Sequence, residues 1–342
     1  MFAANGVTAK CRAVFGKRLS ESDYAMLAAK ENVPQVCDFL KTSPRYQKAL
    51  SAVNSGAVHR AQLEAVLGKS AFDIFESFRK FDFTKSSGYF RFIVERLEIG
   101  QIVSAVGAVF AGGADEYIAA VPMYLNRFTK TDLPELGHAK NLTEIISLLE
   151  NTPYIKVLRE PLIDAVMSGK LDIGEVERRL LNDYYFRLLK SVDANFRGAE
   201  KKELKCAILR SIDMENVVTV FRRAQFSKAS PDNIGEKLIP FRYKLGDDVI
   251  EELAKEKDIG ALSRKLAKIG YNADGENTTV EQLTERISQK FYEKTLRMTQ
   301  FSSVAYFALT ESICAELRNI RTVVEGVRYG LSGTDILKML VI

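Results

Sequence analysis

Tryptophan is absent from the 342 residues, histidine occurs twice and cysteine four times. His59 and His138 have no second histidine or cysteine at ligand spacing, so no zinc-type cluster is signalled. Cys11, Cys37, Cys206 and Cys314 are scattered without a C-x-x-C pair, which signals neither a disulfide framework nor a metal site and fits a reducing cytoplasm. Long hydrophobic runs are missing too: the most apolar window, Ile99 to Gly113, is too short for a membrane span and contains Gln101. The N-terminal Lys10, Arg12, Lys17 and Arg18 are followed by no uninterrupted apolar core of a secretion signal. Strand signals are sparse, since no Asn-Gly or Asp-Gly joins two alternating β-branched runs.

What remains is the composition of a globular chain, 46% hydrophobic and 27% charged, long enough for two or three domains. The net charge of +5 is small against 49 basic and 44 acidic side chains, so it announces no nucleic-acid partner. A soluble, all-α protein is expected.

Three helical phrases recur in one order, three times. In the first, Val33, Val36 and Leu40 lead through Ser43-Pro44 to Tyr46. Leu142, Ile145 and Leu149 lead through Thr152-Pro153 to Tyr154, and Ile259, Leu262 and Leu266 through Gly270 to Tyr271. The first copy carries one extra residue before its tyrosine. In the second phrase, Leu63, Leu67, Ala71 and Phe72 match Val176, Leu180, Tyr184 and Tyr185, and match Leu283, Ile287, Phe291 and Tyr292, each set on one helical stripe. The third phrase is an acid, two residues, an amide and a branched aliphatic: Glu98, Gln101 and Ile102; Asp213, Asn216 and Val217; Glu316, Asn319 and Ile320.

The acids stand roughly a hundred residues apart, which predicts three related helical units, 1–125, 126–238 and 239–342. Breakers mark the joints: Pro122 and Pro134, then Pro231, Gly235 and Pro240. Ser20 with Asp23, and Thr278 with Glu281, read as capping boxes.

Positions three apart on a helix point to one side, so Glu316 and Asn319 flank the apolar stripe of Ile313, Leu317, Ile320, Val324 and Val327. Such a pair either hydrogen-bonds a neighbouring helix or loop backbone, or lines a surface that faces a partner. Arg222, Arg223, Arg318, Arg321 and Arg328 gather near two of the copies, as a solvated face or as contacts for an acidic partner. Gly68-Lys69-Ser70 is no phosphate loop: Leu63 occupies the position of the required glycine, and the tripeptide lies inside a helical phrase. No nucleophile, base and orienting group stand together, so neither catalysis nor a cofactor is expected.

The order of these phrases, with Asp213-x-x-Asn216-Val217 running to Arg222 and Glu316-x-x-Asn319-Ile320-Arg321 running to Gly326, resembles the central-stalk adaptor family of V/A-type rotary ATPases. That family comprises the C subunits of the prokaryotic enzymes and the d subunits of the eukaryotic ones. The resemblance implies an all-helical funnel of three similar domains about a pseudo-threefold axis. One copy per complex would sit on the cytoplasmic face of the membrane rotor ring and hold the foot of the central stalk, without spanning the membrane. The role so implied is non-catalytic: to transmit torque between the stalk and a ring that carries protons or sodium ions, coupled to ATP hydrolysis or synthesis. Two departures stand out. Gln101 is followed by the small-residue run Ser104 to Gly113 where the other copies carry arginines, and Ile239-Pro240-Phe241 lacks a following glycine pair. A free-standing helical-repeat scaffold that binds another protein is the alternative reading.

Overall fold

The computed structural model describes residues 2–79, 89–226, 234–275 and 277–342. Pro231 lies outside them. Among the described residues there are helices and short 3-10 turns and no strand, so the all-α expectation holds. From the N-terminus come α1 (Phe2–Phe15), α2 (Glu21–Ala28), α3 (Val33–Thr42), the single turn α4 (Gln47–Leu50) and α5 (Arg60–Arg79). After α6 (Phe92–Ala111) follow α7 (Ala114–Ala120), α8 (Met123–Asn126), α9 (Leu133–His138), α10 (Leu142–Leu149), α11 (Ile155–Ser168) and α12 (Ile173–Asn195). The remainder holds α13 (Gly198–Phe226), α14 (Asp247–Leu253), α15 (Ile259–Lys268), α16 (Val280–Met298), α17 (Ser302–Arg328) and α18 (Gly333–Met339). None of the described helices is long and apolar enough to cross a membrane.

Helix starts follow local side-chain chemistry. Ser20 accepts from the Asp23 N–H while Asp23 accepts from the Ser20 N–H, completing the expected box at α2. Asn32, Asn141, Asp258 and Ser332 cap α3, α10, α15 and α18 in the same way, by accepting from an N–H three residues on. At α16 the cap is Thr279 and not Thr278, a correction of one residue. The reason is Gln282, whose own N–H is taken by Thr279 Oγ1 while its side-chain oxygen accepts from both the N–H and the hydroxyl of Thr278. Its amide nitrogen donates to the Lys338 carbonyl at 2.8 Å, which anchors this register.

The chain divides into two compact units, Asp82–Phe196 and a discontinuous one made of Met1–Phe81 with Arg197–Ile342. In the first, α6 packs along α12 and against α9 and α10, and α11 bridges α10 and α12. In the second, α17 packs against α1, α5, α13 and α16. Two apolar clusters can be described in this unit. One joins the two ends of the chain, setting Leu19, Leu27, Leu40 and Leu63 against Ile320, Val324, Val327 and Ile336. The other sets Val217 and Phe221 of α13 against Leu245, Leu262, Leu266 and Leu283. Packing therefore runs across both joints of the sequence repeat, 125/126 through α6 and 238/239 through α13. The last long helix returns to the first residues. Each leucine so buried contributes about 1.5–3 kcal/mol relative to exposure.

Candidate functional site

A carboxylate taken into a dry core is costly unless hydrogen bonds and opposite charge replace its water. Glu98, Asp213 and Glu316 are 2%, 0% and 6% exposed, on α6, α13 and α17. Each accepts three hydrogen bonds, and the pattern repeats. Glu98 Oε1 takes the backbone N–H of Lys130 and of Thr131, both at 2.8 Å, and Oε2 takes the Tyr154 hydroxyl at 2.8 Å. Asp213 Oδ1 takes the Tyr243 N–H at 3.0 Å, and Oδ2 takes the Lys244 N–H at 2.8 Å and the Tyr271 hydroxyl at 2.5 Å. Glu316 Oε2 takes the Leu19 N–H at 3.0 Å, while Oε1 takes the Tyr46 hydroxyl at 2.5 Å and Arg45 Nη1 at 3.0 Å.

In every case the backbone donors lie in the turn just before a short helix, α9, α14 or α2, and the tyrosine follows the next helix or helix pair of that phrase. Each acid thus grips the opening of the sequence unit that comes after it. The third acid, Glu316, grips the first unit. Burial pushes the phenols of Tyr46, Tyr154 and Tyr271 well above their ordinary value, with the facing carboxylate adding to the rise, so all three remain donors. Burial also raises the Glu98 and Asp213 carboxyls, over the opposing pull of the hydrogen bonds they accept.

The tyrosines reach the acids by different turns. Before Tyr271 the chain reverses at Gly270, whose φ of +82° suits a residue without a Cβ. Before Tyr46 the additional residue noted in the sequence is Arg45. Its guanidinium is buried, pairs with Glu316 and donates through Nη2 to the Val14 carbonyl at 2.6 Å.

The amides behave in two ways. Asn216 closes a two-point bond on Ile239, accepting its N–H at 2.9 Å and donating to its carbonyl at 3.0 Å. Asn319 does the same to Val341, at 3.1 and 2.6 Å. Gln101 is half-buried and forms no comparable bond among the described residues. In that unit Asn126 holds the loop instead, accepting from the Leu133 N–H at 2.8 Å.

The arginines lie outside the clamps. Arg222 is exposed and pairs with Glu281 at 2.8 Å, Arg321 pairs with Glu64 at 3.1 Å, and Arg223 is half-buried. Arg60 links Glu64 and Glu325, so much of this positive face is neutralised within the chain. Sequence reasoning singles out the acids and records the tyrosines, yet does not join them. It also passes over Arg45, although the extra residue before Tyr46 is a signal for it.

The chemistry of the arrangement is holding. The clamp carboxylates spend their lone pairs on backbone and tyrosine donors of the same chain. Lys69, inside α5, pairs with Asp73 at 2.7 Å. Among the described residues no group of three or more His, Cys, Asp or Glu side chains is gathered to hold a metal ion.

A protein-family model described as ATP synthase (C/AC39) subunit matches residues 7–339. Three relatives are each named as the C subunit of an A-type ATP synthase. The protein of Thermococcus kodakarensis is 26% identical over 330 residues, covering 94% of this chain and 86% of its own length. That of Pyrococcus furiosus is 26% identical over 298 residues, 84% of this chain and 76% of its own. That of Archaeoglobus fulgidus is 27% identical over 309 residues, 88% and 81%.

Proposed function

The chain belongs to the ATP synthase (C/AC39) subunit family, and on that premise we propose that it is the non-catalytic central-stalk adaptor of an A/V-type rotary ATPase. One copy links the foot of the central stalk to the membrane rotor ring on the cytoplasmic side and passes torque between them. Proton or sodium transport through the ring is thereby coupled to ATP hydrolysis or synthesis in the head. The units 1–125, 126–238 and 239–342 serve as three similar domains of a funnel about a pseudo-threefold axis.

The observation that supports this reading is the clamp repeated at Glu98, Asp213 and Glu316. A part that carries torque must not yield where one module meets the next. Close-packed helices supply stiffness within a module. Hydrogen bonds to a charged acceptor, each stronger than a neutral one, tie each long helix to the opening turn of the following unit and remove slack from the joint.

The test is recovery of the complex from cells that carry a tagged full-length chain. Stalk subunits and ring are expected to co-purify with it in the same fraction. A preparation that recovers neither component overturns the proposal.

A further inference from the structure

An open trough of about 780 Å³ runs between α13, α16 and the segment Thr299 to Phe301. Its charges are unbalanced. Arg210, Lys290 and Lys294 line it together with one carboxylate, Glu203, which accepts from the Thr299 hydroxyl at 3.0 Å. Lys290 is paired with Asp274 at 2.8 Å. Arg210 and Lys294 have no ion-pair partner among the described residues.

Arg210 is the least expected of these. Its guanidinium lies over the rings of Tyr271 and Phe291, 4.6 and 4.3 Å from their centroids, so the side chain is held in place before any acid arrives. The two other clamps do not repeat the arrangement. One turn ahead of its acid, α6 carries Glu95, which pairs with Lys130 and Arg187, and α17 carries the buried Ile313. Arg210 also faces Asp213 through space, but that carboxylate already accepts three hydrogen bonds.

Along α16 the row Lys290, Lys294 and Met298 advances one turn at a time. The two cations are spaced about 6 Å along the axis, and the methionine continues the row by the same step. Met298 is 69% exposed, and the half-buried Phe291 beside it also lines the trough. Asp274 already occupies Lys290, so the cations left to meet an acid are Lys294 on α16 and Arg210 on α13. On a partner helix, an apolar residue one turn beyond the acid at Lys294 would meet Met298.

We propose that this trough seats an acidic amphipathic helix of a partner protein in the rotor, its carboxylates meeting Lys294 and Arg210 and its apolar face covering Met298 and Phe291. The proposal rests on the adaptor reading and assigns that reading a contact surface. Docking of this kind gains specificity and association rate from charge complementarity and holds through the apolar contact.

The test measures binding of the full-length chain to the purified central-stalk subcomplex at low and at moderate salt. Lys294→Glu and Arg210→Gln are each expected to weaken binding about tenfold at low salt, with a smaller difference at higher salt. Lys294 is exposed and has no ion-pair partner among the described residues, so Lys294→Glu should keep the wild-type melting temperature and carries the test if Arg210→Gln disturbs the Asp213 clamp. Lys48→Glu, the same charge reversal at an exposed site on α4, is expected to bind as the wild type does. A photoreactive phenylalanine introduced as Met298→benzoylphenylalanine in the assembled complex is expected to cross-link to an acidic helical segment of a partner. Wild-type binding that Lys294→Glu and Arg210→Gln leave unchanged, or that Lys48→Glu weakens equally, overturns the trough and leaves the adaptor reading standing. A wild-type chain that binds neither stalk nor ring overturns both.

Discussion

The Glu316 clamp and the Asp213 clamp both draw on the opening backbone and the tyrosine of another unit, yet only Glu316 has a buried cation against it. The difference follows where each clamp falls in the chain. Asp213 and Tyr271 are 58 residues apart, and Glu98 and Tyr154 are 56 apart, whereas Glu316 and Tyr46 are separated by 270. Loop closure over the longer span costs about 1.4 kcal/mol more, on a logarithmic dependence on length. One hydrogen bond to a charged group contributes about 1.5–3 kcal/mol, so the additional bond from Arg45 is of the size needed to offset that cost. A clamp between successive units needs only hydrogen bonds. The clamp that closes the last unit onto the first carries an ion pair as well.

The two clamps differ most at Arg45. Arg45→Ala leaves Glu316 buried without its cation and is expected to cost about 3–5 kcal/mol in denaturant unfolding. The double variant Arg45→Met with Glu316→Gln removes both charges and should cost less than Arg45→Ala alone. A double variant that costs more would show that the pair contributes net attraction beyond its desolvation. Next in size, Asp213→Ala strands the Tyr243 and Lys244 N–H groups and the Tyr271 hydroxyl, with an expected loss of about 3 kcal/mol.

The amides sharpen the contrast within the repeat. Asn319→Leu and Asn216→Leu are each expected to lose about 1–3 kcal/mol, since both break a two-point bond to a loop. Gln101→Leu should stay within about 0.5 kcal/mol of wild type, because no such bond is lost. Equal losses at all three positions would contradict the assignment of loop-holding to Asn126 in that unit.

The smallest expected effect is a pH dependence. Burial holds the Asp213 and Glu98 carboxyls above the ordinary carboxylate range, so the folded chain binds these protons more tightly than the unfolded one. The stability this contributes is complete below the unfolded values of 3.8 and 4.5 and is lost as pH rises through the raised folded values. The difference in melting temperature between wild type and Asp213→Ala should therefore shrink as pH rises across that window. A difference that grows with pH would mean that hydrogen bonding, and not burial, controls the Asp213 titration.

Much of this is legible in the sequence. The helical spacing of Leu63, Leu67 and Phe72, or of Leu283, Ile287 and Tyr292, is local and marks helices directly, and the capping residues set most of their starts. The acid and amide phrases are visible because each fits within one helix turn. Their partners are not, because a hydrogen bond from Tyr46 to Glu316 leaves no periodic trace along the chain. The Thr278 box reads one residue early because Gln282 makes its decisive bond to Lys338, far away in sequence. Arg45 is signalled only as an insertion, whose meaning depends on the buried carboxylate it meets.

Each acid closes on the tyrosine of the following unit, with Glu316 returning to the first. A pair of double-mutant cycles tests it most directly, with Glu316→Gln combined with Tyr46→Phe in one and with Tyr271→Phe in the other. A coupling of about 1 kcal/mol or more is expected between Glu316 and Tyr46, and additivity within about 0.5 kcal/mol between Glu316 and Tyr271, the tyrosine of its own sequence unit. Coupling to Tyr271 with none to Tyr46 would contradict it.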